Sequence, residues 1–291
     1  MFRPSARRGM VQARRRREQT ATSERTATSS TVHPRYRMAE MAHHWCVKLG
    51  WYREVNLRPY VVGGGLFFCR EGSTVTFREV DMTNDPRGAH FAYFCSLASP
   101  AAGLTAPVDV TDLLRQLRGR SFFLSFLWCV QRAANAVPEL RRRISAGKVL
   151  EFDACPASCT VMKLDGTYAY CHLDAGMDYE TFLTVGVEAL RVAKEGGTID
   201  ETAGDALPCY FISCVPWLSY TQIVNPWGGG EDSNPRITWG KYEEKDGRTI
   251  LPLSILVHHG LVDGLHIARF YECLQRELAE LSQFLSKYSN I

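Results

Sequence analysis

The chain has 291 residues, 45% apolar and 22% charged, with a formal net charge of +3 at pH 7. That balance belongs to a globular protein of one large or two small domains and excludes a chain disordered throughout. Its longest apolar stretch, Phe122 to Val130, is broken by Ser125 and falls short of the roughly 20 residues that a membrane span needs. The charge is split: residues 1–40 hold ten Arg against three Glu, a net +7, which leaves the other 251 residues at −4. A basic tail precedes a mildly acidic body, and nothing in the body invites nucleic acid.

The ten cysteines are scattered without a C-x-x-C pair, as in a protein of a reducing compartment. Cys155 and Cys159 stand four apart with no His or Cys pair near enough in sequence to complete a zinc site, so no metal is expected. No apolar signal core follows the N-terminal arginines, and a cytoplasmic location is expected. Residues 1–75 read as a basic, low-complexity extension without stable structure, which includes an Arg14–Arg17 run and a Thr/Ser/Ala-rich stretch. Its Gly63-Gly64-Gly65 run lacks the strand-then-helix frame of a phosphate loop. Residues 76–291 form the folded body.

Within the body, Asp109 and Thr111 cap a helix predicted over Val108–Leu117. Ser121–Ala136 is apolar on nearly every side, as a buried helix would be, and ends before Pro138. Strands are predicted at Val149–Asp153, Cys159–Leu164 and Thr167–Leu173, with Asp165-Gly166 as the hairpin turn between the last two. A helix over Asp178–Ala193 precedes strands at Leu207–Ser213, Arg236–Tyr242 and Thr249–His258. The chain closes on an amphipathic helix with Ile267, Tyr271, Leu274, Leu278, Leu281 and Leu285 on one face. Helices and hairpins alternate without a strict βαβ rhythm, which predicts an α/β fold with a mixed sheet covered by helices.

The informative segment is Leu253–Gly264, LSILVHHGLVDG, in which a β-rich run meets two adjacent histidines and, three residues on, Asp263-Gly264. Neighbours on a strand point to opposite faces, so His258 and His259 cannot act together: one meets a cleft and the other packs. With this HHxxxDG pattern the sequence resembles the chloramphenicol acetyltransferase family, a pattern shared with dihydrolipoamide acyltransferase cores. Four further segments follow the family in order: Asp85–Phe94 (DPRGAHFAYF), Pro138–Arg141, Phe211–Tyr220 (FISCVPWLSY) and Ile237–Tyr242 (ITWGKY).

The resemblance covers residues 77–288. It implies a two-layer α/β sandwich that assembles as a homotrimer, with each active site between subunits. It also implies direct acetyl transfer from acetyl-CoA, as co-substrate, to an acceptor hydroxyl such as that of chloramphenicol, and so antibiotic resistance. His259 is then the general base, a task suited to a neutral imidazole. Ser213 is the oxyanion donor, and Thr238 holds a water near the same intermediate. Arg87 and Asp263 form a structural bridge, Lys241 meets a CoA phosphate together with Thr238, and Tyr93, Phe94 and Tyr170 line an aromatic acceptor site.

One departure touches the acceptor. Where the family is apolar this chain has Asn225 and Arg236, and a charge against an apolar ligand is costly unless paired. Acetylation of another hydroxyl compound is the alternative. A dihydrolipoamide acyltransferase core and a non-catalytic CoA-binding or small-ligand-binding protein are the remaining readings.

Overall fold

The computed structural model describes residues 57–62, 65–70, 76–199 and 206–287. Two strands open it, β1 (Leu57–Val62) and β2 (Gly65–Arg70), paired antiparallel from Leu57 opposite Arg70 to Val62 opposite Gly65. This hairpin falls inside the stretch expected to lack structure. The runs Tyr60-Val61-Val62 and Leu66-Phe67-Phe68 have the β-branched and aromatic make-up of strands, and the flanking composition masked them. Gly65 opens a strand and not a helix, which removes the phosphate-loop reading. The rest of the 1–75 stretch lies outside the described residues.

A mixed sheet of seven strands carries the body. Its members are β4 (Ala101–Asp109), β7 (Ala157–Met162), β8 (Tyr168–Leu173), β9 (Tyr210–Val215), β10 (Arg236–Gly240), β11 (Glu243–Lys245) and β12 (Arg248–His258). The order β8-β7-β9-β10-β12-β4 places β7, β9 and β10 in parallel and sets β8 and β12 against them. The pairing of β11 with β12 is one residue out of phase with that of β10, so a bulge at Lys241-Tyr242 divides what is otherwise one strand. A separate three-stranded antiparallel sheet joins β3 (Phe77–Val80), β6 (Lys148–Phe152) and β5 (Arg142–Ser145).

Five helices accompany these strands among the described residues: α1 (Gly88–Cys95), α2 (Thr111–Gln116), α3 (Phe122–Asn135), α4 (Tyr179–Gly196) and α5 (Gly264–Lys287). Ser121 and Asp178 cap α3 and α4 by accepting the N–H groups of Leu124 and Thr181. Alternation along the strands decides what the helices cover. Cys159, Ile212, Ile237 and Ile255 lie in one row across four strands, all buried, and face the core. Beside that row Trp239 packs edge-on against Phe126 of α3, and the Tyr271 hydroxyl of α5 donates to the Leu253 carbonyl.

The expected helix over Val108–Leu117 shrinks to α2, because residues up to Asp109 belong to β4. Little in AAGLTAPVD proposes a strand. Nine residues of β12 impose it by pairing, from Ile250 opposite Asp109 to His258 opposite Ala101. Gly103 permits the close approach, since a Cβ there would lie 2.3 Å from the Ile255 carbonyl oxygen. The expected strand at Leu207–Ser213 starts later, at Tyr210.

Candidate active site

Strand β12 ends at His258, and a tight turn carries the chain into α5. The N–H groups of Leu261 and Val262 both donate to the His258 carbonyl, and the His259 N–H donates to the Pro100 carbonyl at 2.8 Å. His259 Nδ1 stands 3.0 Å from the Val262 carbonyl oxygen. A carbonyl only accepts, so Nδ1 holds the proton and Nε2 holds a lone pair. The Phe94 ring stacks on the imidazole at 4.0 Å between centroids. His259 is thus a half-buried base with its ring plane fixed on one side.

The pleat separates its neighbour. His258 is 1% exposed, accepts the Gly260 N–H at Nδ1 and donates from Nε2 to the Gly230 carbonyl at 3.0 Å. Burial pushes its pKa below the ordinary value. It is a neutral tie between the turn and the loop that precedes β10.

Arg87, just before α1, holds the turn from behind. Its guanidinium pairs with the Asp263 carboxylate and donates from Nη2 to the His259 carbonyl at 3.1 Å. Burial pushes the Asp263 carboxyl up, but the His266 ring and the Arg87 guanidinium outweigh it and hold the group below its ordinary value.

A second feature crosses the sheet on the face away from the core helices. Cross-strand partners align Tyr170, Thr160, Ser213, Thr238, Ser254 and Thr105 in one row over β8, β7, β9, β10, β12 and β4. Thr160 donates to Ser213 Oγ at 3.3 Å, so the Ser213 proton points elsewhere. Thr238 is buried and donates to Asn225 Oδ1 at 3.3 Å. Tyr220 ties the covering segment down by donating to the Thr238 carbonyl at 2.8 Å.

The structure brings His259, Phe94, Arg87 and Asp263 together at the turn and brings Ser213, Thr238 and Tyr170 together in the row. It does not join the two groups within one chain. Ser254 stands opposite Thr238, and His259 lies five residues further along, roughly 16 Å at strand rise. Tyr93 is 61% exposed beside Phe94, and Lys241 is exposed at the bulge. Arg236 is not an open charge: Asp232 takes it with both oxygens at 2.5 Å, and its guanidinium lies between the rings of Phe211 and Trp227. The cation that set this chain apart is therefore paired, which lowers the cost of its burial. Sequence reasoning missed Thr160 and the Asn225 contact to Thr238, which depend on strand register and a loop.

No described helix is long and apolar enough to cross a membrane. The family model for chloramphenicol acetyltransferase matches residues 75–275. A chloramphenicol acetyltransferase of Clostridium perfringens is 26% identical over 70% of this chain and 94% of its own length. A solved chloramphenicol acetyltransferase superposes with a TM-score of 0.65 at 25% identity, covering 70% of this chain and 100% of that one. A probable dihydrolipoamide acetyltransferase of Listeria monocytogenes shares the fold, with a TM-score of 0.52 at 14% identity, 67% of this chain and 92% of that one being covered. The paired Arg87 and Asp263, the turn they hold and these likenesses converge: the chain belongs to the chloramphenicol acetyltransferase family and is an acyltransferase.

Proposed function

We propose that this acyltransferase moves the acetyl group of acetyl-CoA directly to a hydroxyl of chloramphenicol or a closely similar acceptor. The observation that carries the reading is the His259 tautomer, since the Val262 carbonyl holds the proton at Nδ1 and leaves Nε2 as a base. His259 takes the proton of the acceptor hydroxyl while the alcohol oxygen attacks the thioester carbon. The new C–O bond forms, and the carbonyl electrons move onto oxygen, where the Ser213 hydroxyl donates to the oxyanion. Collapse breaks the C–S bond, and the departing CoA sulfur recovers the proton from the imidazolium. Thr238 holds a water beside the intermediate, and Lys241 reaches a CoA phosphate. Tyr93, Phe94 and Tyr170 contact the acceptor, and the paired state of Arg236 favours an apolar, aromatic one.

The separation of His259 from Ser213 supports a site completed by a second copy, the turn of one chain facing the hydroxyl row of the next. Head-to-tail contacts of this kind close into a ring, here a homotrimer. Two inactive variants test both ideas. His259→Ala and Ser213→Ala are each expected to fail alone in a thiol-release assay with acetyl-CoA and chloramphenicol. Unfolded and refolded as a mixture, they should regain a substantial part of wild-type activity, because some sites combine an intact His259 with an intact Ser213. No recovery from well-folded mixed oligomers would sink the shared site. Wild-type protein that releases no thiol with chloramphenicol, but does so with another alcohol, would move the assignment to that alcohol.

A further inference from the structure

We propose that His266 is a positioning residue for the His259 turn, acting through Asp263 and Arg87; its bearing on catalysis rests on the reading of His259 as the base. Asp263 caps α5: its carbonyl accepts the Ile267 N–H at 3.1 Å and its Oδ1 accepts the Leu265 N–H at 3.0 Å. Three residues on, His266 Nδ1 accepts the Asp263 N–H at 3.1 Å. This is the reciprocal pattern in which the third helical residue reaches back to the cap, with an imidazole where Glu or Gln is customary.

An imidazole that accepts at Nδ1 holds its proton at Nε2. His266 Nε2 faces Glu139 Oε1 at 3.5 Å, from the 3-10 turn Pro138–Arg141. The other oxygen of Glu139 is buried without a hydrogen-bond partner among the described residues. A continuous line therefore runs from Glu139 through His266, Asp263 and Arg87 to the His259 carbonyl.

The line depends on a neutral His266. Its residue is 6% exposed, and burial pushes its pKa below the ordinary value. Of the charged groups that face it, Arg87 and Arg269 push the same way while Glu139 and Asp263 oppose. Asp263 Oδ1 lies 2.9 Å from the same Nδ1. A second proton would turn Nδ1 from acceptor to donor, release the Asp263 N–H and turn Nδ1 to the Asp263 Oδ1 already beside it. The cap that fixes Asp263, and through it the partner of Arg87 behind the turn, would be lost.

The experiment uses the full chain and two variants, His266→Gln and His266→Ala. Gln can still accept the Asp263 N–H, whereas Ala cannot. Amide hydrogen exchange over residues 259–267 at pH 7.5 reads the positioning without any assay of acetyl transfer. Exchange at the Asp263 amide is expected to rise about tenfold in the Ala variant and to stay near wild type in the Gln variant. If the Ala variant does not fold, the Gln variant alone decides, by its exchange rate at the Asp263 amide. Turnover with acetyl-CoA should fall in His266→Ala and recover in His266→Gln. Equal exchange in wild type and His266→Ala, or a Gln variant as impaired as the Ala variant, overturns the proposal. Protein that acetylates no alcohol overturns the proposed reaction and leaves the exchange result to judge His266.

Discussion

The turn after β12 and the hydroxyl row are built by opposite means. In the turn, six consecutive residues from His258 to Asp263 are fixed mostly by backbone groups, and one side chain, His259, keeps its Nε2 without a partner among the described residues. In the row, six side chains on six strands are aligned by pairing, and neighbours such as Thr160 and Ser213 bond to each other. The turn concentrates its chemistry in one atom, whereas the row distributes it over several hydroxyls. Removing His259 from the turn should therefore cost more than removing a supporting hydroxyl, such as that of Thr160, from the row.

His259→Ala is the sharpest way to break that comparison. Loss of a general base is expected to lower kcat by about 10²–10⁴-fold with acetyl-CoA binding nearly unchanged. Thr160→Val, which removes only the hydrogen bond to Ser213, should cost about tenfold or less. Steady-state kinetics on the two variants give the ranking. A Thr160→Val enzyme as inactive as His259→Ala would show that the row is as concentrated as the turn.

The same contrast explains what the sequence made readable. His259, Asp263 and Gly264 are contiguous, and their spacing implies strand, turn and helix before any coordinate is known. Ser213 and Thr238 were recognisable by likeness of local segments, but their common row with Thr160, Ser254 and Thr105 depends on registers set between strands up to about 150 residues apart in sequence. Strand β4 was hidden for a related reason, since β12 and not its own propensity makes it a strand. The bearing of His266 on Asp263 was readable in principle, because capping partners stand three residues apart. The likeness to HHxxxDG drew attention to the motif and ended one residue pair too soon.

Arg87→Ala tests how far the turn depends on a distant element. Arg87 precedes α1, and its loss leaves the Asp263 carboxylate and the His259 carbonyl without their shared donor. A fully buried pair broken on one side costs about 3–5 kcal/mol, and the Asp263 side chain is 33% exposed, so about 2–3 kcal/mol is expected here. Chemical unfolding should show this loss together with a fall in kcat. Unchanged stability with a large loss of kcat would mean that Arg87 serves chemistry and not the frame.

The smallest effect belongs to His258, and it separates the two adjacent histidines by pH. The buried imidazole is neutral, accepting from Gly260 and donating to Gly230. Burial holds its folded pKa below the ordinary histidine value of about 6.5 that the unfolded chain keeps. Between those two values the unfolded chain binds a proton that the folded chain refuses, so stability must fall as pH drops through the unfolded pKa towards the folded one. His258→Gln keeps a donor and an acceptor without titrating. It should cost about 1 kcal/mol at pH 7.5 through imperfect hydrogen-bond geometry, and turnover should stay within a few-fold of wild type. On lowering the pH to 5 the wild type loses its advantage and the two melting temperatures converge, which thermal unfolding at the two pH values measures directly. A gap that widens in acid would mean that His258 gains a proton on folding and pairs with Asp232, the nearby carboxylate that favours its charged form. In that case the folded ring would be charged, and its Nδ1 could no longer accept the Gly260 N–H.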